Sequence, residues 1–294
     1  KYGLDLDVDG DVLSFEITSD RADIISKFSL AKLIKMILGK KVVDKDIKFE
    51  DLEVKVEKTE RKYVNCLKLR LKGSVNDLFD DLILMQEKLN QVIGRNRKFA
   101  ACGFFDFNKI NFPIIYKNLT KDKIKFVPLG FNEVKDYEFV IESTSQGKDY
   151  GNLLKSPIVW IDKNNEIIAL PPIINADKFS ITRETKEIFI DVTGVDKYIV
   201  NQFTKILIVN LSEIGDVSVI KVKYSSKDID PNLSFENRTI MLSEDNIRNV
   251  LGVEIPIKEA KKILEQLGFK VKSIRDSLSI NIPYYRYDII HQVD

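Results

Sequence analysis

Apolar residues recur along this chain with two different periods, and the changes of period divide it into elements. LDLDVDGDVLSFEI, near the start, alternates around the turn dipeptide Asp9-Gly10, which predicts a hairpin. The spacing then becomes helical. Ile24, Ile25, Phe28, Ala31, Leu33, Ile34, Ile37 and Leu38 share one broad face, and Gly39 stops the helix. With strands near Glu53 to Glu57 and Tyr63 to Leu71, this predicts a small N-terminal α+β unit over residues 1–75. Ser74 is expected to cap a second helix with Val75, Leu78, Phe79, Leu82, Met85, Leu89, Val92 and Ile93 on its buried face. FAACGFF reads as a strand, and PIVWIDKNNEIIAL as a hairpin around Lys163-Asn164-Asn165 that puts Trp160 in the core. A helix from Val195 and the strand DVSVIKVKYS close a mixed-sheet domain over residues 76–225, and the polar SSKDIDPNLS reads as a linker. Residues 236–294 form a last unit, with helices at Ser243 to Gly252 and Pro256 to Gly268 and short strands KSIRD and LSINIP. The fold class is multidomain α+β.

One stretch carries more polarity than a structural strand pair needs. In IALPPIINADKFSITRETKEIFIDVTG the prolines fix the direction in which the chain leaves the Ile167 to Leu170 strand, so Asn175 is aimed. In EIFIDVTG, Asp191 and Thr193 share a face with Phe189. An acid and an alcohol beside an aromatic wall predict a pocket.

Composition narrows the chemistry. The 294 residues suit two or three domains with a sizeable core. With 46 basic and 45 acidic side chains, the net charge of +1 holds no polyanion globally, so any nucleic-acid contact is local. Two cysteines and one histidine exclude a disulfide framework and a Cys/His zinc site confined to this chain, and favour a reducing cytoplasm. No apolar run reaches the length of a membrane helix. The chain lacks an initiator Met and is expected to be a fragment of a longer polypeptide.

PPIIN, Thr182 and Thr185, then FIDVTG and Asp196, resemble the editing domain in the β subunit of archaeal and eukaryotic phenylalanyl-tRNA synthetases. EITSDRADIISKFSLAKLI resembles a further segment of these subunits, though Arg21 and Asp23 read more simply as an internal ion pair and a helix-start carboxylate. GRNRKFAACGFFDFNKI resembles a third, with Phe105 where the family has His and Asn108 where it has Asp; Asp106 is kept as a candidate. The resemblance implies a small N-terminal unit, a mixed-sheet editing domain and a C-terminal winged-helix-like unit. It further implies hydrolysis of mischarged tyrosyl-tRNA(Phe) here, with ATP-dependent aminoacylation on a separate α subunit in an α2β2 assembly. The closing YYRYDIIHQVD resembles the family's entry into the next domain, and that resemblance implies that Asp288 and Asp294 hold Mg²⁺ together with two acidic residues beyond Asp294, a shell that this chain leaves incomplete.

Residue chemistry is compatible with that reading. His291 lies in another predicted unit and no nucleophile elbow occurs, which disfavours a Ser-His-Asp mechanism and leaves a positioned water. Asp191, Thr193 and Asn175 are the candidate catalytic residues that orient that water, with Asp191 or Thr193 alternatively reading a tyrosine hydroxyl. A second sieve is needed because an apolar phenylalanine pocket rejects an added hydroxyl by only roughly 10². Arg95, Arg97 and Lys98 form a basic turn that either touches RNA phosphate or is merely hydrated. The rival class is a non-catalytic tRNA-binding scaffold with an inactive pocket, for which Phe105 is the best support.

Overall fold

The computed structural model describes residues 5–40, 42, 46–73 and 76–294, so the expected cap at Ser74 and the helical position at Val75 lie outside the described residues. The chain forms two compact units, one of residues up to 45 with 234–294, the other of residues 46–233.

The first unit opens with the hairpin β1 (Asp5–Asp9) and β2 (Val12–Glu16). Asp9 pairs with Val12, so the turn is Gly10-Asp11, with Gly10 at φ +58°. Residues 19–24 make a 3-10 turn in which Arg21 grips Asp23 at 2.9 Å, and only then does α1 (Lys27–Ile37) begin, capped by the Ser26 hydroxyl.

The central unit comprises β3 (Lys48–Val56), β4 (Tyr63–Leu71), α2 (Phe79–Val92), β5 (Ala100–Asp106), β6 (Ile114–Asn118), β7 (Lys125–Phe126), β8 (Lys135–Asp136), α3 (Tyr137–Ser143), α4 (Ser145–Tyr150), β9 (Ile158–Ile161), β10 (Ile167–Leu170), β11 (Ile174–Asn175), β12 (Glu187–Gly194), α5 (Lys197–Leu211) and β13 (Gly215–Tyr224). Nine of these strands form one sheet in the order β11-β10-β9-β6-β3-β13-β4-β12-β5. β3 runs parallel to β6 and β13, and the other neighbours are antiparallel.

The two strands expected to complete the N-terminal unit therefore lie elsewhere. β3 and β4 sit inside the nine-stranded sheet, and β4 buries residues on both faces, which requires flanking strands that only residues 46–233 supply. Local periodicity identifies the strands and not their partners.

The sheet curls back on itself. β9 and β12 are separated by four strands, yet the Trp160 indole on β9 donates to Asp191 on β12 at 2.6 Å. The two edge strands, β5 and β11, are thereby brought together, with Asn175 Nδ2 reaching the Phe104 carbonyl at 3.4 Å. Trp160, Phe189, Phe105 and Tyr116 fill the concave side, while α5 covers the other face over β4 and β12.

The first unit resumes with β14 (Arg238–Ser243), α6 (Glu244–Leu251), α7 (Ile257–Gln266), β15 (Lys270–Ile274) and β16 (Ser277–Ile282). Ser243 and Asn246 form a reciprocal capping box on α6 and Gly252 closes it in the left-handed region. The sheet order is β14-β16-β15; the sequence pattern does not predict β14, since RTIMLS lacks clean alternation and runs straight into the helix cap. Mixed α+β architecture holds throughout.

Candidate active site

Between the two edges of the curled sheet lies a cavity of about 220 Å³. Its floor comes from β5 and β12, one wall from the Pro171–Asn175 segment and another from α2. Ile83 and Leu129, both substantially exposed, mark its rim, whereas Asp191 is only 2 % exposed. Asp191, Thr193 and Asn175, all singled out from sequence, line this one cavity.

Asp191 is placed by the β12 register, directly opposite Gly103 on β5 and Cys66 on β4. Its Oδ1 accepts the Gly103 N–H at 2.7 Å and its Oδ2 the Trp160 Nε1–H at 2.6 Å. Gly103 has to be glycine, because a Cβ there would stand 2.7 Å from the Phe105 ring and 2.8 Å from Asp191 Oδ1. Burial pushes the Asp191 carboxyl up to about 6, against the two hydrogen bonds and the charge of Arg61, which hold it down. The carboxylate is thus oriented but under-solvated, a state that welcomes a further donor. Thr193 Oγ1 is buried on the same strand without a hydrogen bond of good geometry, and it adds to the polar surroundings of the Tyr116 phenol. Asn175 is half-buried at the cavity edge.

The structure assigns several other side chains to tasks that the sequence pattern does not foretell. Trp160 is core, as expected, but its polar edge is also the principal clamp on Asp191. From α2, Asn90 and Gln86 bind the backbone of Cys102 on the free edge of β5: Asn90 Oδ1 accepts its N–H at 2.9 Å and Gln86 Nε2 donates to its carbonyl at 3.1 Å. Neither has a local signal, since both sit on an ordinary amphipathic helix. Both cysteine thiols are buried and pushed upward, chiefly by burial and then by Asp191, so neither supplies a thiolate near neutral pH. His291 belongs to the other unit.

The basic turn divides. Arg97 points inward: it donates to the carbonyls of Pro172 at 3.0 Å and Ile173 at 3.2 Å, pairs with Glu87 at 3.0 Å and lies over the Tyr150 ring. Its guanidinium is engaged within the protein, as a brace between α2 and the Pro172–Ile173 wall. Arg95 and Lys98 are exposed. Arg95, Asn96 and Arg97 all have φ between 49° and 63°, a left-handed run that costs non-glycine residues roughly 1–2 kcal/mol each. Asp106 is held by the Thr185 hydroxyl at 3.0 Å and caps the following 3-10 turn, and Asp196 caps α5.

Asp288 is paired with Arg286 at 2.7 Å, and Asp294 accepts the amides of Ile290 and His291. Among the described residues no group of three or more His, Cys, Asp or Glu could hold a metal ion. A hydrated Mg²⁺ wants six oxygens, so these two carboxylates do not by themselves fit it.

A crystal structure of an N-terminal fragment of the phenylalanyl-tRNA synthetase β-subunit from Pyrococcus horikoshii matches this fold with a TM-score of 0.86 and 30% identity, over 98% of this chain and 86% of that one. The chain belongs to the phenylalanyl-tRNA synthetase β-subunit family. Family models agree, a B3/4 domain matching residues 83–212 and a tRNA synthetase B5 domain residues 240–294. The phenylalanine-tRNA ligase beta subunit of Sulfolobus acidocaldarius is 33% identical over 98% of this chain and 54% of its own length. That of Methanococcus aeolicus is 34% identical over 96% of this chain and 52% of its own. The chain spans about half the length of these relatives. Among the described residues no helix is long and apolar enough to cross a membrane.

Proposed function

We propose that the central unit hydrolyses tyrosyl esters wrongly attached to tRNA(Phe). The observation that carries this reading is the oriented, under-solvated Asp191 carboxylate on the floor of a small, largely apolar cavity. An ester joined to a large RNA keeps its reacting carbonyl at the rim, so the side chain points to the floor. There a tyrosine phenol donates to Asp191 beside the Gly103 and Trp160 donors, with Thr193 next to it; phenylalanine leaves the carboxylate without that third donor, a difference of about 1–3 kcal/mol. Water attacks the ester carbonyl near Asn175, whose amide orients it; the ribose oxygen leaves with one of the water's protons, the other passes to solvent, and the tyrosine carboxylate is released. No covalent intermediate is invoked, in keeping with the protonated, buried thiols.

Under the same reading, aminoacylation with ATP and Mg²⁺ belongs to a separate α subunit in a cytoplasmic α2β2 assembly. Asp288 and Asp294 would there share a magnesium shell with ligands from outside this chain, and residues 236–294 are taken as winged-helix-like. Arg95 and Lys98 are the proposed phosphate contacts of tRNA(Phe).

Incubating the chain with tyrosyl-tRNA(Phe) and phenylalanyl-tRNA(Phe) tests the central statement. Faster release of tyrosine is expected; equal, background release from both leaves a tRNA-binding scaffold in which Phe105 replaces a needed polar group.

A further inference from the structure

Arg61, in the loop between β3 and β4, is 1 % exposed, and its guanidinium donates to carbonyls. Nη1 donates to the backbone oxygens of Arg97 at 3.1 Å and Lys98 at 3.3 Å, and Nη2 to that of Thr193 at 3.0 Å. Among the described residues its Nε has no partner, and Tyr116 donates to the Arg61 carbonyl at 3.2 Å, fixing the residue from behind. The two places it grips are the left-handed run at Arg95–Arg97 and the strand position of Thr193. Three consecutive non-glycine residues hold that conformation only where the surroundings over-determine it.

We propose that Arg61 is the positioning residue of the cavity, one buried fork that holds the Arg97–Lys98 turn and the Thr193 backbone in fixed relation. Through the turn it aims the Arg97 brace at the Pro172–Ile173 wall; through Thr193 it fixes the floor. Arg61 itself touches no substrate. What the cavity does chemically rests on the hydrolytic reading above, while the placement of the turn does not. A lysine keeps the charge but gathers its donors on one nitrogen, without the planar fork whose Nη1 and Nη2 reach the turn and Thr193 from separate positions.

The test uses the full chain with Arg61→Lys, Asn96→Gly and the two combined. Glycine at 96 adopts positive φ freely and lowers the need for the grip. In Arg61→Lys, amide exchange over residues 95–99 should quicken at least tenfold while β3 and β13 keep wild-type protection. Adding Asn96→Gly should recover most of that protection. Tyrosyl-tRNA(Phe) hydrolysis should lose kcat about tenfold in Arg61→Lys with little change in KM, and regain part of it in the double variant. Should Arg61→Lys fail to fold, the double variant is expected to fold. Wild-type exchange at 95–99 in a folded Arg61→Lys, or no recovery of exchange or folding by Asn96→Gly, overturns the proposal. If the wild-type chain hydrolyses neither ester, the activity is refuted and the exchange result still decides Arg61.

Discussion

The cavity floor presents one aspartate that the sequence marks as chemical, Asp191, and the C-terminal segment 284–294 presents two, Asp288 and Asp294, in opposite surroundings. Asp288 meets a guanidinium two residues away, and Asp294 folds back on the amides of its own turn. Their bonds are local and complete. Asp191 takes its donors from β5 and β9, residues 88 and 31 positions away, and remains short of solvation. A carboxylate satisfied by its neighbours is finished, whereas one assembled across the sheet with capacity to spare can recognise something.

The largest effect that would break this contrast is on substrate choice. Asp191→Asn puts an amide N–H against an N–H donor and removes the charge that the phenol is proposed to meet. Tyrosyl-tRNA(Phe) hydrolysis relative to phenylalanyl-tRNA(Phe) should fall roughly 10- to 10²-fold in single-turnover assays. A folded variant with unchanged selectivity removes Asp191 from recognition.

The same carboxyl should show in stability without any substrate. Folded, it keeps its proton to about 6; unfolded, it releases it at its ordinary 3.8, so the native state binds more protons between those values. Stability contributed by this group is fully present below pH 3.8 and is lost as pH rises through about 6, a difference of about 3 kcal/mol. Urea midpoints of wild type and Asp191→Asn across pH 4 to 8 should diverge in slope, the variant lacking this fall; parallel curves would contradict the under-solvated floor.

At Asp288 the expectation is smaller. Asp288→Asn should cost about 1–2 kcal/mol by removing the charge-assisted hydrogen bond with Arg286, and millimolar Mg²⁺ should shift the melting temperature of neither this variant nor wild type. A magnesium-dependent rise in wild type alone would restore a metal role to this segment within the chain. Smallest is the surface effect. Neutralising Arg95 and Lys98 should reduce the salt slope of tRNA binding by about 0.7–0.9 for each phosphate no longer neutralised, whereas Arg97→Ala should loosen the cavity and leave that slope unchanged.

Sequence periodicity captures the elements well, including the hairpin at 163–165, the β5 strand and the two helices after Ser243. It misassigns β3 and β4 because alternation reports a strand's faces and says nothing of which strands lie beside it. Asp191 and Thr193 are visible because polar residues interrupt an apolar strand. Arg97 reads as outward because a run of basic residues after a glycine looks like a hydrated turn, and only the left-handed backbone turns its side chain inward. Trp160 acts through a contact that exists only once the sheet has curled, and Asn90 through the packing of α2 on the edge of β5, which no local periodicity reports.

The treatment of the β5 edge bears on how the protein behaves in company. A strand at the border of a sheet is a template on which other chains can crystallise or aggregate. Here the backbone of Cys102 is occupied by the amide side chains of Asn90 and Gln86, the Phe104 carbonyl by Asn175, and Phe105 bridges to Ser180. Little of that border is left for a stranger to read. Gln86, Asn175 and Ser180, which wall the cavity, therefore also shield this edge from pairing with a foreign strand, as Asn90 does beside them, and Asn90→Ala should first show itself as concentration-dependent clumping on warming, visible by light scattering before ester hydrolysis declines.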